Sequence, residues 1–457
     1  MKGSLFKFQT RLCLAVCFWA GLIFFSSLSH PSVFGQGRGA PPRLTVEKFE
    51  FEGNTKTNDE VILRHLTIQP GDTVNPAVLE ANQLRLAQTN FFKDVEFYAR
   101  PGSEKGKVIL VIEVQERHWP YFQFEGGHSD LRGWFFVPAS LRFDNFFGSG
   151  NMIGLRLVLG DRIGKLSLGF RNSNLFDDTA FWDFELFGGG REFIHYLGSD
   201  RSTQDVGFGG LRFQIGGQEG LFKHLNFAYR IETHEPDEFI DFSDLDSTTT
   251  LLPPDIADDV QETQIGAFSF ILNADLRDNP AYPLNGFWGA LSFELAHDEL
   301  GSDLNFPKVM LDSRFYKRLF GRQVFAFHVK GGYTTDNSPF YERFYLGGAN
   351  SLRGYPDRRL TPVGWGTKLF RSNAEFRFPL STRNFPFHKF SGILFFDVGG
   401  IWQSGQTPKF DDLFSAAGFG FRYKLPILGM TRFDFSFPLN KVDENDFQFH
   451  VSLGHTF

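Results

Sequence analysis

Apolar and polar residues alternate with a period of two through most of the chain downstream of residue 119. In the final stretch, DFQFHVSLGHTF, one face holds apolar side chains: Phe447, Phe449, Val451, Leu453 and Phe457. The other face holds small or polar ones: Gln448, His450, Ser452, Gly454 and Thr456. Successive side chains of a strand point to opposite sides, so this pattern predicts strands with one apolar and one polar face.

Sixteen segments of this kind follow one another, separated by turn residues. They cover about 119–127, 134–144, 151–160, 164–172, 179–189, 206–216, 222–234, 260–275, 286–297, 307–319, 322–333, 369–380, 390–402, 413–425, 430–438 and 446–457. Connections after even-numbered segments are mostly short, as at 320–321, whereas those after odd-numbered segments can be long, as at 190–205, 235–259 and 334–368. Bacterial membrane barrels have this even strand number and this alternation of connections.

The apolar faces are built largely from phenylalanine, which accounts for 59 of 457 residues. Many of the polar faces carry charges, which the inner faces of a soluble sandwich rarely do. Lipid on one side and water on the other explain both observations, and a sheet in hydrocarbon must close because an open edge leaves backbone groups unpaired. We therefore predict an all-β transmembrane fold, a 16-stranded antiparallel β-barrel over residues 119–457, with 334–368 as a long loop.

A different pattern precedes the barrel. Residues 43–116 read as strand, helix, helix, strand, strand, with Thr57 as the expected N-cap of the first helix. Asn75 and Pro76 fit the N-cap and first position of a second helix that ends near Thr89. This order predicts a small α+β domain before the barrel.

The first 35 residues have the composition of a secretory signal peptide. Lys2, Lys7 and Arg11 precede an apolar run from Leu12 to Leu28. Cleavage would remove both cysteines of the chain and would change the formal net charge from −7 to −10, because three basic residues and no acidic ones are lost. A thiol-free, acidic mature chain argues against disulfides, cysteine–metal sites and nucleic-acid binding.

Motifs for covalent catalysis are missing from the sequence. No Gly-x-Ser-x-Gly, His-Glu-x-x-His or Walker loop occurs, and the 12 histidines are scattered. We therefore expect no enzymatic activity, no metal site and no cofactor.

Several short motifs occur in a fixed order along the barrel. They are NFFGSGN (145–151), DLRDNPAYPLNG (275–286), LRGY (352–355), NAEFRFP (373–379) and FFDVGG (395–400). Together they resemble the superfamily of outer-membrane barrels that includes BamA, TamA and FhaC, also known as bacterial surface antigens, and residues 43–116 resemble a polypeptide-transport-associated (POTRA) domain. The resemblance implies an outer-membrane barrel of a Gram-negative-type cell with the POTRA domain in the periplasm.

The resemblance also implies a location and contacts for the long loop at 334–368. In this superfamily it folds into the lumen, and the arginine of its signature, here Ser351, Leu352, Arg353, Gly354 and Tyr355, meets acidic residues of the wall. Alternation turns Glu375 and Asp397 away from their phenylalanine neighbours, so both are predicted partners of Arg353. The motif Asp275, Arg277, Asp278 and Pro280 is expected to form a periplasmic turn.

The resemblance implies a function that involves no covalent chemistry. The first strand, with Tyr121, Gly126 and Gly127, must pair with the last, from Phe447 to Phe457, and glycines weaken such a ladder. A seam of this kind would open sideways and accept a strand of an unfolded outer-membrane protein by β-augmentation. The expected function is therefore insertion of β-barrel proteins into the outer membrane. Expected partners are these clients, the lipid bilayer and periplasmic or lipoprotein accessory subunits.

Two other functions stay open on the sequence. A two-partner-secretion-type translocation pore is the main alternative, although those transporters carry two POTRA domains and a plug helix. A passive diffusion porin is the second, disfavoured by the loop arginine and the POTRA domain. The usual assembly factor has several POTRA domains where this sequence has one, which leaves the breadth of its role open.

Overall fold

The structure is a computed structural model that describes residues 44–453 except 90, 118–120, 123–124, 130–131, 177–178, 199, 219, 221, 238–260, 281, 381–389, 426–428 and 443–445. The predicted signal peptide, most of the 235–259 connection and Phe457 lie outside the described residues. Among the residues described, no helix is both long and apolar enough to span a bilayer.

The N-terminal unit has the order of elements that the sequence predicts. Its elements are β1 (Thr45–Glu52), α1 (Asp59–Arg64), α2 (Pro76–Gln88), β2 (Phe92–Pro101) and β3 (Lys107–Glu116). The sheet order is β1–β3–β2, with β1 parallel and β2 antiparallel to β3, so β1 and β2 are its edges. Ile62 of α1 and Leu86 of α2 are fully buried against the sheet.

The two helix starts differ from each other. Asn75 caps α2 as predicted, because its side chain accepts a hydrogen bond from the Ala77 amide. The prediction for Thr57 is wrong: α1 begins at Asp59, after Asn58, and has no side-chain cap. The hydroxyl of Thr57 donates instead to the Glu116 carboxylate, 2.7 Å away.

The rest of the chain forms one closed antiparallel barrel. Its strands are β4 (Tyr121–Phe122), β5 (Glu125–Ser129), β6 (Gly133–Phe146), β7 (Asn151–Gly160), β8 (Ile163–Leu175), β9 (Ala180–Leu197), β10 (Asp200–Gly217), β11 (Leu225–Pro236), β12 (Thr263–Asp275), β13 (Gly286–Ala296), β14 (Phe306–Arg318), β15 (Val324–Thr334), β16 (Lys368–Pro379), β17 (Phe390–Trp402), β18 (Phe414–Leu425), β19 (Gly429–Pro438) and β20 (Gln448–Leu453). Both β4 and β5 pair with β6 and together make the first strand. The predicted sixteen-stranded barrel is therefore confirmed.

One predicted connection is absent. Residues 190–205 are not a long loop, because β9 and β10 continue as a hairpin in which Ala180 pairs with Gly217 and Leu197 with Asp200. The β9–β10 ladder supplies the backbone hydrogen bonds along its whole length, so both strands stay regular where the sequence predicted a loop. The long connection at 334–368 does leave the wall, and its course is described below.

Burial in the wall is the reverse of that in a soluble protein. On the last strands the exposed side chains are aromatic, including Phe396, Phe433 and Phe449. The side chains with no exposed surface are polar, including Arg432, Asp434 and Ser452. The phenylalanine faces therefore look outward and the polar faces line the lumen, as the alternation predicts.

Hydrogen bonds join the N-terminal unit to the barrel at the β6–β7 turn. The Asn145 side chain donates to the Thr57 hydroxyl over 2.7 Å, and the Asn58 amide donates to the Gly148 carbonyl over 3.1 Å. Gly148 is required there, since a Cβ at this position would stand 1.8 Å from the Lys56 carbonyl oxygen. The NFFGSGN turn is thus a docking point for the N-terminal unit.

Glu116 holds the other side of this joint. Its carboxylate accepts from the amides of Lys56 and Thr57, at 3.0 and 2.7 Å, and from the hydroxyls of Thr55 and Thr57. Partial burial raises the pKa of Glu116, but the hydrogen bonds from these donors outweigh it and hold the pKa below the ordinary value of 4.5. One carboxylate therefore organises the segment that the barrel contacts.

Glu116→Gln is predicted to loosen this joint. Because charged hydrogen bonds are lost at a partly exposed site, we expect about 1 kcal/mol less protection of residues 55–58 in amide hydrogen exchange. A carboxyl whose folded pKa is lowered stabilises above its ordinary pKa, so the difference from the parent should be full above pH 4.5 and vanish as the pH falls through the lowered pKa.

Glu113→Gln is the matched control, because this exposed glutamate lies on the same strand. Equal protection in the two variants would contradict the role given to Glu116.

Candidate functional site: the lumenal loop and its wall contacts

The loop between β15 and β16 lies inside the barrel. Phe344 and Gly366 form an antiparallel bridge at its base, with amide–carbonyl distances of 2.9 and 3.0 Å. Beyond the bridge its apolar side chains pack on the wall in one buried cluster: Phe344, Leu346, Leu352, Tyr355 and Leu360 against Leu369 and Ala416. The loop therefore has its own hydrophobic anchorage in addition to its charges.

Arg353 makes a bidentate ion pair with Asp397. Its Nε and Nη2 donate to the two carboxylate oxygens, each over 2.7 Å, and its backbone amide donates to Oδ2 over 3.2 Å. Its Nη1 donates to Oε1 of Glu375 over 2.7 Å. None of the three side chains has more than 1 % exposed surface. This is the pairing that the sequence predicted.

Strand register explains why the two carboxylates converge. In the β16–β17 ladder Asn373 lies opposite Asp397, and Glu375 lies opposite Phe395. All four face the lumen, and Asn373 donates to the Ser351 carbonyl over 3.1 Å. Phe395 escaped the sequence analysis, yet its ring stacks under the Arg353 guanidinium at 3.6 Å from the ring centroid. Its position two residues before Asp397 was the available signal, because alternation puts both on one face.

Further charges surround the pair. Glu375 also accepts from Arg377 over 2.8 Å, and Arg422 binds Asp434 over 2.7 Å. Asp434 is fully buried on β19. Arg353 is therefore one member of a lumenal network in which each carboxylate faces at least one guanidinium.

The residues next to Arg353 fit their places closely. Gly354 has a φ of +102°, and a Cβ there would lie 2.7 Å from the Cβ of Ala416. The Tyr355 hydroxyl donates to the carbonyls of Asn440 and Ser415, at 2.7 and 3.2 Å. Ser351 and Leu352 are buried. At position 354, both the available space and the backbone conformation therefore require glycine.

A second anchor, missed in the sequence analysis, follows the signature. Asp357 accepts from Arg162 over 2.8 Å, and Arg358, buried and with a φ of +62°, lies 5.1 Å from the Trp365 ring centroid. Asn350 reaches the first strand, since its side chain donates to the His128 carbonyl over 3.1 Å. The loop therefore touches both the β17 region and the seam.

The first and last strands of the barrel meet at the seam. The described residues of the first strand are β4 and β5, on either side of residues 123–124, and those of the last strand are β20. Tyr121 pairs with Arg142 of β6, and Gly126 and Gly127 lie in β5. A Cβ at position 127 would be 3.5 Å from the Leu453 carbonyl oxygen. Phe447, just before β20, is exposed.

The motif after β12 is a rigid turn. Arg277 holds Asp275 through two bonds of 2.8 and 2.6 Å and donates to the Pro280 carbonyl. Burial raises the pKa of Asp278, but the amides of Leu284 and Asn285 outweigh it and hold the pKa below the usual 3.8. These contacts make the predicted turn residues structural.

One group of side chains has the composition of a metal site. Glu232, His234 and Glu342 bring three potential ligand atoms within 4.8 Å of one another. Glu342, however, accepts from Lys308 over 2.7 Å and from Arg230 over 2.9 Å. These cations already neutralise the carboxylates, so the group is best read as part of the ion-pair network.

Arg353→Lys is predicted to weaken the folded barrel, because an ammonium cannot bind Asp397 through two parallel bonds or stack on Phe395 in the same way. Arg353→Asp should cost more, about 3–5 kcal/mol, since it leaves buried carboxylates without a cation. The measurement is the temperature at which the folded band converts to the unfolded band in heat-modifiability gels.

Combining Arg353→Asp with Asp397→Arg should recover about 1 kcal/mol or more of the summed loss. Arg359→Lys on the same loop serves as control and should leave the transition unchanged. Purely additive losses in the double variant would contradict direct pairing.

Comparison with known proteins agrees with this architecture. Residues 145–457 match the model of the Omp85 superfamily domain, and residues 44–117 match the POTRA model described as surface antigen variable number repeat. The outer membrane protein assembly factor BamA of Nitratidesulfovibrio vulgaris is 25% identical over 436 residues, which cover 91% of this chain and 52% of that protein. BamA of Neisseria meningitidis serogroup B is 24% identical over 470 residues, 91% of this chain and 57% of its own length.

Solved structures show the same fold. BamA from Haemophilus ducreyi lacking POTRA domains 1–3 superposes with a TM-score of 0.72 at 18% identity, covering 90% of this chain and 84% of that one. CdiB from Acinetobacter baumannii gives 0.55 at 12% identity, covering 91% and 74%. The chain spans about half the length of the two curated relatives. With its superfamily domain matched over residues 145–457, the chain belongs to the Omp85 superfamily, as an outer-membrane β-barrel with a POTRA domain.

Proposed function

We propose that this protein inserts β-barrel proteins into the outer membrane by opening the seam between its first and last strands. The observation that carries the proposal is the backbone of that seam: Gly126 and Gly127 lie in the first strand, and a Cβ at position 127 would stand 3.5 Å from the Leu453 carbonyl oxygen of the last strand. Glycine inside a strand weakens its ladder. The assembly-factor names of the relatives support the same reading. No covalent chemistry and no cofactor are part of it.

Glycines in the first strand lower the free energy of separating the two strands, because they offer no side chains that pack across the seam. Separation exposes the edges of β5 and β20, and an unfolded client strand can then pair with either one. The client's own folding and the burial of its apolar face in lipid supply the driving force. Unfolded outer-membrane proteins are therefore the proposed clients.

The POTRA domain adds a second pairing edge. β2 (Phe92–Pro101) is an edge strand whose far side has no partner strand among the described residues. In the second half of β2, the Tyr98 hydroxyl and the Arg100 guanidinium donate to the Glu52 carboxylate of β1 over 2.6 and 2.7 Å. We propose that this domain lies in the periplasm, receives clients or accessory lipoproteins by β-augmentation, and passes clients to the barrel.

A translocation pore is the alternative, favoured by the fold likeness to CdiB. It requires a polypeptide to pass through the lumen, where the loop anchored at Arg353 now lies. Insertion through the seam leaves that anchor in place. A passive diffusion porin would also require the loop to leave the lumen, and this function is less well supported than the translocation pore.

Locking the seam is predicted to abolish insertion. Gly127→Cys with Ser452→Cys places two thiols on the lumenal faces of the first and last strands, within reach of a short bis-methanethiosulfonate cross-linker, and the mature chain is expected to contain no other cysteine. After cross-linking, folding of a client barrel into liposomes containing the protein should fall to the rate of empty liposomes, and reduction, which removes the cross-linker, should restore it. Client folding is read by heat-modifiability.

The control pair is Leu291→Cys with Leu311→Cys, which face each other in the β13–β14 ladder away from the seam. Cross-linking of this pair with the same reagent should leave client folding unchanged. Undiminished folding with the seam locked would refute lateral insertion, and export of a polypeptide through the locked barrel would favour the pore.

A further inference from the structure

The lumen contains a chamber with a strong excess of positive charge. Its volume is about 470 Å³, and it is bounded by β7–β11, β14–β16 and the loop between Tyr341 and Trp365. Ten arginine and lysine side chains line it, against three glutamates. The chain as a whole is acidic, with a net charge of −7, so this excess is a local feature.

The three glutamates are already engaged. Glu185 binds Lys165 over 2.9 Å, Glu342 binds Lys308 over 2.7 Å, and Glu232 pairs with Arg230. Each of these carboxylates therefore neutralises one cation of the chamber, and the remaining cations of the lining keep their positive charge.

Four chamber cations form no salt bridge within 4.0 Å of a carboxylate oxygen among the described residues: Arg191, Arg212, Lys330 and Arg371. The nearest acidic neighbour of Lys330 is Asp312, opposite it in the β14–β15 ladder. Arg191 lies over the rings of Phe193 and Phe208, Arg212 donates to Gln214, and Arg371 donates to the Asn350 carbonyl. The Nε atoms of Arg191 and Arg371 are buried and donate to no protein acceptor.

We propose that this chamber binds a small, soluble, multivalent phosphate compound. Like charges gathered between low-dielectric walls repel one another and concentrate anions, and several unpaired cations favour a multivalent anion over a monovalent one. Guanidinium groups match phosphate oxygens through paired hydrogen bonds. The volume is that of a small-molecule pocket. The β-strands stand between the chamber and the acyl chains, so the ligand arrives from water.

Titration calorimetry with sodium tripolyphosphate tests this on the full-length protein in zwitterionic detergent. Saturable binding is expected, with much weaker heats for orthophosphate and none for acetate. A second titration in nanodiscs compares phosphatidylcholine alone with phosphatidylcholine plus phosphatidylglycerol. Equal affinity in the two is expected, whereas competition by the anionic lipid would assign the chamber to a lipid headgroup and overturn the soluble ligand.

The double variant Arg191→Gln, Lys330→Gln should weaken tripolyphosphate binding about tenfold or more, because each lost charged contact is typically worth about a factor of ten. Arg322→Gln removes the same kind of charge from the exposed β14–β15 turn and should change nothing. Equal affinity of the double variant and the parent would overturn the proposal, as would the absence of binding to the parent.

Bilayer recordings on the unaltered protein keep the proposal testable if the double variant does not fold. In a KCl gradient the reversal potential should show anion preference, and tripolyphosphate should reduce the current more than orthophosphate does. Cation preference, or equal effects of the two phosphates, would refute the chamber as a multivalent anion site.

Discussion

A fully buried guanidinium inside a barrel requires fixed carboxylates, and Arg353 has two. Removing three charged side chains from water costs several kcal/mol for each, and that cost is recovered only with near-ideal geometry. Asp397 offers both oxygens, Glu375 offers a third, and the Phe395 ring covers the guanidinium from below. These three acceptor oxygens fix the position of Arg353 and, with it, the tip of the loop.

The barrel wall provides that geometry through the register of its adjacent strands. Adjacent strands in fixed register put Glu375 and Asp397 within reach of one side chain, and alternation keeps their phenylalanine neighbours in the lipid. At the seam, Gly126 and Gly127 of the first strand lie next to the last strand. Asn350 links the two regions through the His128 carbonyl, so the loop is in contact with the part of the wall that is proposed to open.

Most of the architecture could be predicted from the sequence because period-two alternation is a local signal. Strand positions, the inward direction of Glu375 and Asp397, and the α2 cap at Asn75 all follow from neighbouring residues. The hairpin extension over 190–205 was not predicted, since its regularity comes from cross-strand pairing, which holds Val206 opposite Arg191 and Asp200 opposite Leu197.

Contacts between distant segments were beyond the same reasoning. Thr57 looked like a helix cap, but its partners are Glu116 and Asn145, 59 and 88 residues away. The stacking of Phe395 and the pairing of Asp357 with Arg162 likewise depend on how the loop enters the barrel. The unpaired cations of the chamber become visible only when every carboxylate around them has been assigned.

Thiol accessibility beside Arg353 tests the central claim most directly. Ser351→Cys places a near-isosteric thiol where the side chain has 2 % exposed surface, and Ser404→Cys places one in an exposed loop. A membrane-impermeant maleimide should label position 404 rapidly and position 351 only after Asp397→Asn removes the anchor. Equally rapid labelling of position 351 with Asp397 intact would show that the arginine loop is not held in the lumen.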